Sequence, residues 1–436
     1  MFFTVNMIRI SMLELTRTSF ISLPYRGDME IQLKYGRQIL PFDVPDTAVV
    51  PQFREPEYDI TREEFELQMQ RFLPAGKNNY RDVAVVVSDK TRLCGYPEFL
   101  PWLTEILTQH GAENENISFY IAYGTHARQS EEESLSSYGA VYNEFRFVHH
   151  DCSDDGLFNV LGNTQRGTPI MVRKDILKAS LRITFGAISH HYFAAYGGGR
   201  KLLFPGLASR RAVYHNHGLF LDRSLRSLAI NCQPGNLSGN PLAEDLKEID
   251  AFMPYKISIH GILNSSGKVC RLMVGDSYAN FVEACAVHDS FFRYPTMEQY
   301  DLVLASSGGY PKDINFIQAH KSVHHAAAFV KDGGTLCMLS ECIDQIGSSY
   351  FLKYLEAGSF EAAFAMLENN YEGNGGTALS MMLKAKRIRI HMLTSLDGKT
   401  CNTLGVTKAT GAEIQNIIQA EKGSMAVLSN ASMLVR

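Results

Sequence analysis

Residues 189–217 gather more chemically capable side chains than any other stretch of this chain. His190-His191 and His215-Asn216-His217 flank a glycine turn, Gly197-Gly198-Gly199, that runs straight into Arg200-Lys201. Glycines let backbone N–H groups approach a phosphate closely, and a basic pair adds charge to the same spot. A lysine beside such a turn can neutralise an anion or bond covalently to a cofactor. Nearby imidazoles can act as general acid and base, or one of them can ligate a metal. The segment reads as the heart of an enzyme.

Short apolar runs, each ending in polar residues, are placed to hold this chemistry. Val83-Ala84-Val85-Val86-Val87 reads as a buried parallel strand and ends in Ser88-Asp89-Lys90-Thr91-Arg92. Residues 98–110 read as a helix with Pro101 in its first turn. A strand over 117–122 runs into Gly124-Thr125-His126, and one over 182–188 runs into His190-His191. Another, 302–305, runs into Ser306-Ser307-Gly308-Gly309-Tyr310-Pro311. A helix starting near Asp313 then sets Gln318 and Lys321 on one face through their i,i+3 spacing. Open α/β sheets place ligands at strand carboxyl ends. The expected fold class is α/β, with two α/β domains facing each other across an active-site cleft.

At 436 residues the chain exceeds what one core usually supports. The turn-rich Asn264-Ser265-Ser266-Gly267-Lys268 suggests a boundary. The expected organisation is an extension over 1–28, a cofactor-binding domain over 29–265, and a domain over 270–436 supplying substrate contacts. The last segment is free to return to the first domain. The extension carries Arg9, Glu14 and Arg17, which break up any signal-peptide core. A net charge of −4 without basic runs argues against nucleic-acid binding. No run of about 18 apolar residues suggests a membrane span. Eight scattered cysteines without C-x-x-C spacing read as free buried thiols in a reducing compartment, hence a cytoplasmic protein.

Taken together, these motifs resemble the lactate racemase family, enzymes that use a nickel-pincer nucleotide. The family pattern is carried by Ser88-Asp89-Lys90-Thr91-Arg92, by Gly124-Thr125-His126, and by His191 with Lys201 ten residues on. Asn216-His217 follows, with His217 sixteen residues after the lysine, and then the run from Gly308 through Lys321. The resemblance implies a 2-hydroxy-acid racemase or epimerase that works by reversible hydride transfer. His126 and His191 would be the acid/base pair. Lys201 would bond the cofactor covalently, a Ni(II)-pyridinium-3,5-bisthiocarboxylic acid mononucleotide, and His217 would ligate the nickel. Asp89, Lys90, Thr91 and Arg92 would line the cofactor. Arg92, Gln318 and Lys321 would bind the substrate. Separate cofactor biosynthesis enzymes are the implied partners.

The chain departs from the pattern at four places. Leu93 stands where a proline is usual, Ser189-His190 precedes His191 where a proline is common, Ile317 stands where lactate racemases carry a tyrosine, and the single tryptophan is the early Trp102. These changes point to a 2-hydroxy acid larger than lactate. Taken singly, His190, His149-His150 and His324-His325 read as structural, the last as a helix-surface pair. Two other classes compete. One is a nicotinamide-dependent oxidoreductase, against which no G-x-G-x-x-G follows the first strand. The other is a non-catalytic nucleotide- or metal-binding homologue.

Overall fold

The computed structural model describes residues 29–73 and 80–436, so the expected extension over 1–28 lies outside the described residues. Two sheets organise the rest. The first has six strands in the order Val269–Gly275, Ile257–Leu263, Leu181–Ala187, Val83–Ser88, Ile117–Ala122 and Arg146–His149. All its pairings are parallel except that of the edge strand Val269–Gly275. The second has five parallel strands in the order Thr407–Lys408, Arg389–Leu393, Val330–Leu339, Tyr300–Ser306 and Met425–Leu428. Among the described residues no helix is long and apolar enough to cross a membrane.

The valine run explains the first sheet. Val83, Val85 and Val87 join one apolar cluster, while Ala84 and Val86 join another. Successive side chains of a strand point to opposite faces, so a strand covered on both sides must be apolar throughout. The helix Tyr96–Gln109 covers one face. It starts at Tyr96, two residues before the sequence suggested, and Pro97 takes the first turn. Pro101 therefore lies one turn deeper, where the helix forgoes one backbone hydrogen bond.

The Asn264–Lys268 turn does not separate two bodies. It is the hairpin turn within the first sheet, closed by Asn264 N–H donating to the Lys268 carbonyl at 2.9 Å. The helix Tyr278–Phe292 also packs on those strands. At the other end, the hairpin Met29–Tyr35 and Gln38–Val44 belongs with the second sheet. Its Leu33, Phe42 and Val44 pack with Leu302, Leu304 and Val427. The alternating pattern leaves the hairpin one apolar face, and the second sheet covers it. The last strand stays there too, since Val49 N–H donates to the Met425 carbonyl and Val427 N–H to the Val49 carbonyl. All eight cysteines are buried and free.

Tyr96 pins the loop that follows the central strand. Its hydroxyl accepts from Ser88 N–H at 2.8 Å and donates to the Phe185 carbonyl at 2.8 Å. Its ring meets Phe185 edge-on at 5.4 Å. Tyr96→Phe keeps the packing but leaves the buried Ser88 N–H and Phe185 carbonyl each without that partner. Chemical denaturation should register a loss of about 1–3 kcal/mol. An unchanged midpoint would show that the hydroxyl does not hold the loop.

Candidate active site

Asp89 leaves the strand Val83–Ser88 and turns inward, only 1% exposed. Thr91 closes the turn: its backbone N–H and hydroxyl donate to one Asp89 oxygen at 2.8 and 2.5 Å. The other oxygen meets His126 Nδ1 at 2.6 Å. His126 follows the neighbouring strand Ile117–Ala122, brought round by a turn in which its N–H donates to the Tyr123 carbonyl at 3.0 Å. With Nδ1 committed to the carboxylate, Nε2 is the ring nitrogen left for chemistry.

His191 ends the short strand Ser189–His191, which pairs antiparallel with Ala195–Gly197. Its Nδ1 accepts from Ala194 N–H at 3.3 Å. Tyr192 stacks on the ring at 5.4 Å and reaches Thr377 of the second domain through its hydroxyl at 2.5 Å. After the hairpin, Gly198 has φ of +72°, and a Cβ there would lie 2.2 Å from the Ala187 carbonyl oxygen. Only glycine lets the backbone turn so tightly before the 3-10 segment Gly199–Leu202, which carries Lys201. His217 sits near the end of the helix Arg210–Gly218, its ring edge-on to Phe193 at 5.3 Å. Next to it, Asn216 Nδ2 donates to the buried Asp245 at 2.8 Å and anchors the helix. From the second domain, the helix Phe316–Ala327 is capped by Asn315, which accepts from Gln318 N–H. Lys321 Nζ donates to Gln318 Oε1 at 2.6 Å.

Most of these groups are buried and lie within electrostatic reach of one another. Burial pushes the His191 ring well below its ordinary range, helped by the positive charges of Lys201, Lys321, Arg92 and His217. His217 is lowered to about 3 by burial, then by Lys201, with His126 and Arg92 adding to it. Burial also pushes Lys201 and Lys321 well down, with Arg92 the leading charge in each case. Lys312 is lowered by burial and by Arg92. Burial alone would raise the Asp89 carboxyl, but His126, Arg92 and Thr91 together hold it below its ordinary range. The cluster therefore pairs an ionised carboxylate and its histidine with a neutral histidine and lysines driven towards neutrality. Such perturbed groups, gathered between two sheets, are the mark of a functional site.

Several neighbours are turned away. Lys90 points outward to Glu133, although its loop lines the cluster. Arg200, paired with Lys201 in the sequence, faces the opposite way with its guanidinium over Phe281 at 4.5 Å. His190 bonds Asp289 at 2.7 Å, on the other side of the strand from His191. His149 and His150 are held by the Tyr123 hydroxyl and the Ala208 carbonyl. His324 and His325 are not a surface pair: His325 is 3% exposed and its Nδ1 bonds the Ala431 carbonyl, because their helix is covered on that face. Ile317 packs on the core of the second domain, and Trp102 packs between Phe65 and Phe99. Sequence reasoning missed Lys312, which lies inside the Gly308–Lys321 motif at a position where the pattern specifies no residue.

Comparison with known proteins places this geometry in context. Residues 35–227 match the lactate racemase N-terminal domain, and residues 296–393 match the lactate racemase C-terminal domain. The chain is 26% identical over 340 residues to a lactate racemase of Thermoanaerobacterium thermosaccharolyticum, covering 75% of this chain and 78% of that one. It is 29% identical over 281 residues to a lactate racemase of Lactiplantibacillus plantarum, covering 64% of each. The fold matches the lactate racemase apoprotein from T. thermosaccharolyticum with a TM-score of 0.80 at 23% identity, over 94% of this chain and 100% of the other. A protein of Thermotoga maritima matches with a TM-score of 0.66 at 14% identity, over 87% and 99%.

Buried neutral rings beyond the cluster set an acid limit on stability. Burial lowers His260 to about 4 and His325 to about 3, and pushes His288 and His320 well down. In the unfolded chain each ring takes a proton near pH 6.5. Below that value the unfolded state binds protons the folded state refuses. This contribution is thus present above about pH 6.5 and is lost as pH falls towards the folded values. The urea midpoint of the cofactor-free protein should fall steadily between about pH 7 and 4.5. A flat midpoint over that window would mean the rings are charged and partnered in the fold.

Proposed function

The chain belongs to the lactate racemase family of isomerases, and from that premise we propose that it racemises or epimerises a 2-hydroxy acid with the help of a nickel-pincer nucleotide. The observation that carries this reading is the convergence of Asp89–His126, His191, Lys201 and His217 on one enclosed, cationic cluster. The residues fit the group. His217 keeps a buried Nδ1 without a well-formed hydrogen bond, Lys201 is driven towards a neutral, nucleophilic amine, and cations outnumber carboxylates around them. Lys201 would hold the cofactor covalently and His217 would ligate its nickel. When bound, the group supplies an acceptor for the hydride on the substrate's carbinol carbon.

The chain's own residues do the rest. Arg92 and Lys321, with Gln318, orient the substrate carboxylate through charge-assisted hydrogen bonds. One histidine takes the hydroxyl proton as the C–H hydride departs, leaving a planar 2-keto acid. The other returns a proton to that oxygen when hydride comes back on the opposite face. His191 is suited to accept, because its environment keeps it neutral. His126 is oriented for proton exchange through Nε2, because its Nδ1 is held on the Asp89 carboxylate at 2.6 Å. One cycle moves a proton from one ring to the other, so both are needed in either direction.

The test is the protein made together with the cofactor biosynthesis enzymes. Lys201→Ala should lose the covalent mass increment, and His217→Ala should lose nickel. His126→Ala and His191→Ala should each slow interconversion by at least about 100-fold in both directions. Racemisation at the wild-type rate by His126→Ala would overturn the two-histidine mechanism. Ile317 packs on the core and so fills no pocket, and neither the tyrosine nor the late tryptophan of lactate racemases is present; a substrate larger than lactate is expected to give the highest kcat/KM in a matched series.

A further inference from the structure

The back of the helix that carries His217 opens into a second cavity of ≈ 830 Å³. Its floor is the outer face of the helix Arg210–Gly218. One wall is the hairpin of Phe158–Asn163 and Pro169–Arg173, and the other is the end of the helix Phe360–Asn369 from the second domain. Cavities of this size accommodate cofactor-sized molecules. None of Asp89, His126, His191, Lys201 and Lys321 lines it.

Its charge is unbalanced. Arg210, Arg211 and Arg223 line the cavity and are exposed. Among the described residues none of the three forms an ion pair, whereas Arg166 on the rim is matched by Glu244 at 2.6 Å. Of the two carboxylates at the cavity, Glu368 is already engaged by Arg226 at 2.8 Å, which leaves Asp155. Three guanidiniums without a carboxylate partner line one space, Arg210 with a hydrogen bond to Cys152, and each offers a planar fork that matches phosphate or carboxylate oxygens. Tyr214 and Tyr371, one from each domain, complete the lining. We propose that this cavity is a second binding site, for a small organic molecule carrying two or more phosphate or carboxylate groups, which bridges the two domains behind His217.

Calorimetric titration of the cofactor-free protein tests this without turnover, so its outcome is independent of the racemase reading. ATP, inorganic pyrophosphate and citrate are titrated separately at about 0.15 M salt, where exposed long-range charge is largely screened. At least one should bind. ATP alone would assign the phosphate class with an aromatic body, pyrophosphate the bare phosphate class, and citrate the carboxylate class. The double variant Arg211→Ala/Arg223→Ala alters only exposed side chains and should keep its thermal midpoint while weakening binding at least tenfold. Arg211→Lys/Arg223→Lys, which keeps the charge but not the fork, should fall between. Lys201→Ala/Lys321→Ala, which strips cations from the catalytic cluster, should bind as wild type. The proposal is overturned if none of the three anions binds, if the arginine variant binds unchanged, or if binding is lost in the lysine variant.

Discussion

The buried carboxylate Asp89 sits beside Arg92 and Lys321, in a cluster where Arg92 also acts on Lys201 and Lys312, and the arrangement of the cluster follows from that excess of cations. Cations brought together out of water raise one another's energy. The fold meets this in two ways. Asp89 stays ionised because Thr91 and His126 satisfy its two oxygens and the charge of Arg92 adds to them. The lysines are pressed towards neutrality by burial and by the neighbouring cations.

Both sheets contribute to that cluster. In the first, adjacent parallel strands end side by side, so Asp89 and His126 come within hydrogen-bond reach although 37 residues apart. A third strand leads to His191 and the glycine turn. The second sheet brings the helix with Gln318 and Lys321 against this wall, and the Tyr192–Thr377 hydrogen bond ties the two domains directly behind His191. The helix Arg210–Gly218 turns His217 towards Phe193 on one face and lines the arginine-rich cavity with the other.

Much of the site was legible from residue order. The valine run announced a strand covered on both sides, and its polar end announced the loop that carries Asp89. The spacing of His191, Lys201 and His217 lies within one continuous segment, so local chain geometry already brings them close. Gln318 and Lys321 share a helix face by periodicity alone, and the two side chains do meet. Strand and helix periods report burial directly, which is why these features survive without tertiary information.

What the chain's order did not determine is which of two adjacent polar residues turns inward. Asp89 is buried while Lys90 reaches solvent, Lys201 joins the cluster while Arg200 lies over Phe281, and His191 faces the cleft while His190 bonds Asp289. Lys312 enters the cluster, and the N-terminal hairpin crosses to cover the second sheet, with no local signal for either. The sequence by itself determined the strands, their polar ends and the spacing of the central motif, because alternation and period are properties of the local backbone. Only the tertiary structure decided orientation, partner and domain membership. Those depend on which distant group can pair a buried charge or cover an apolar face, and that group lies tens to hundreds of residues away.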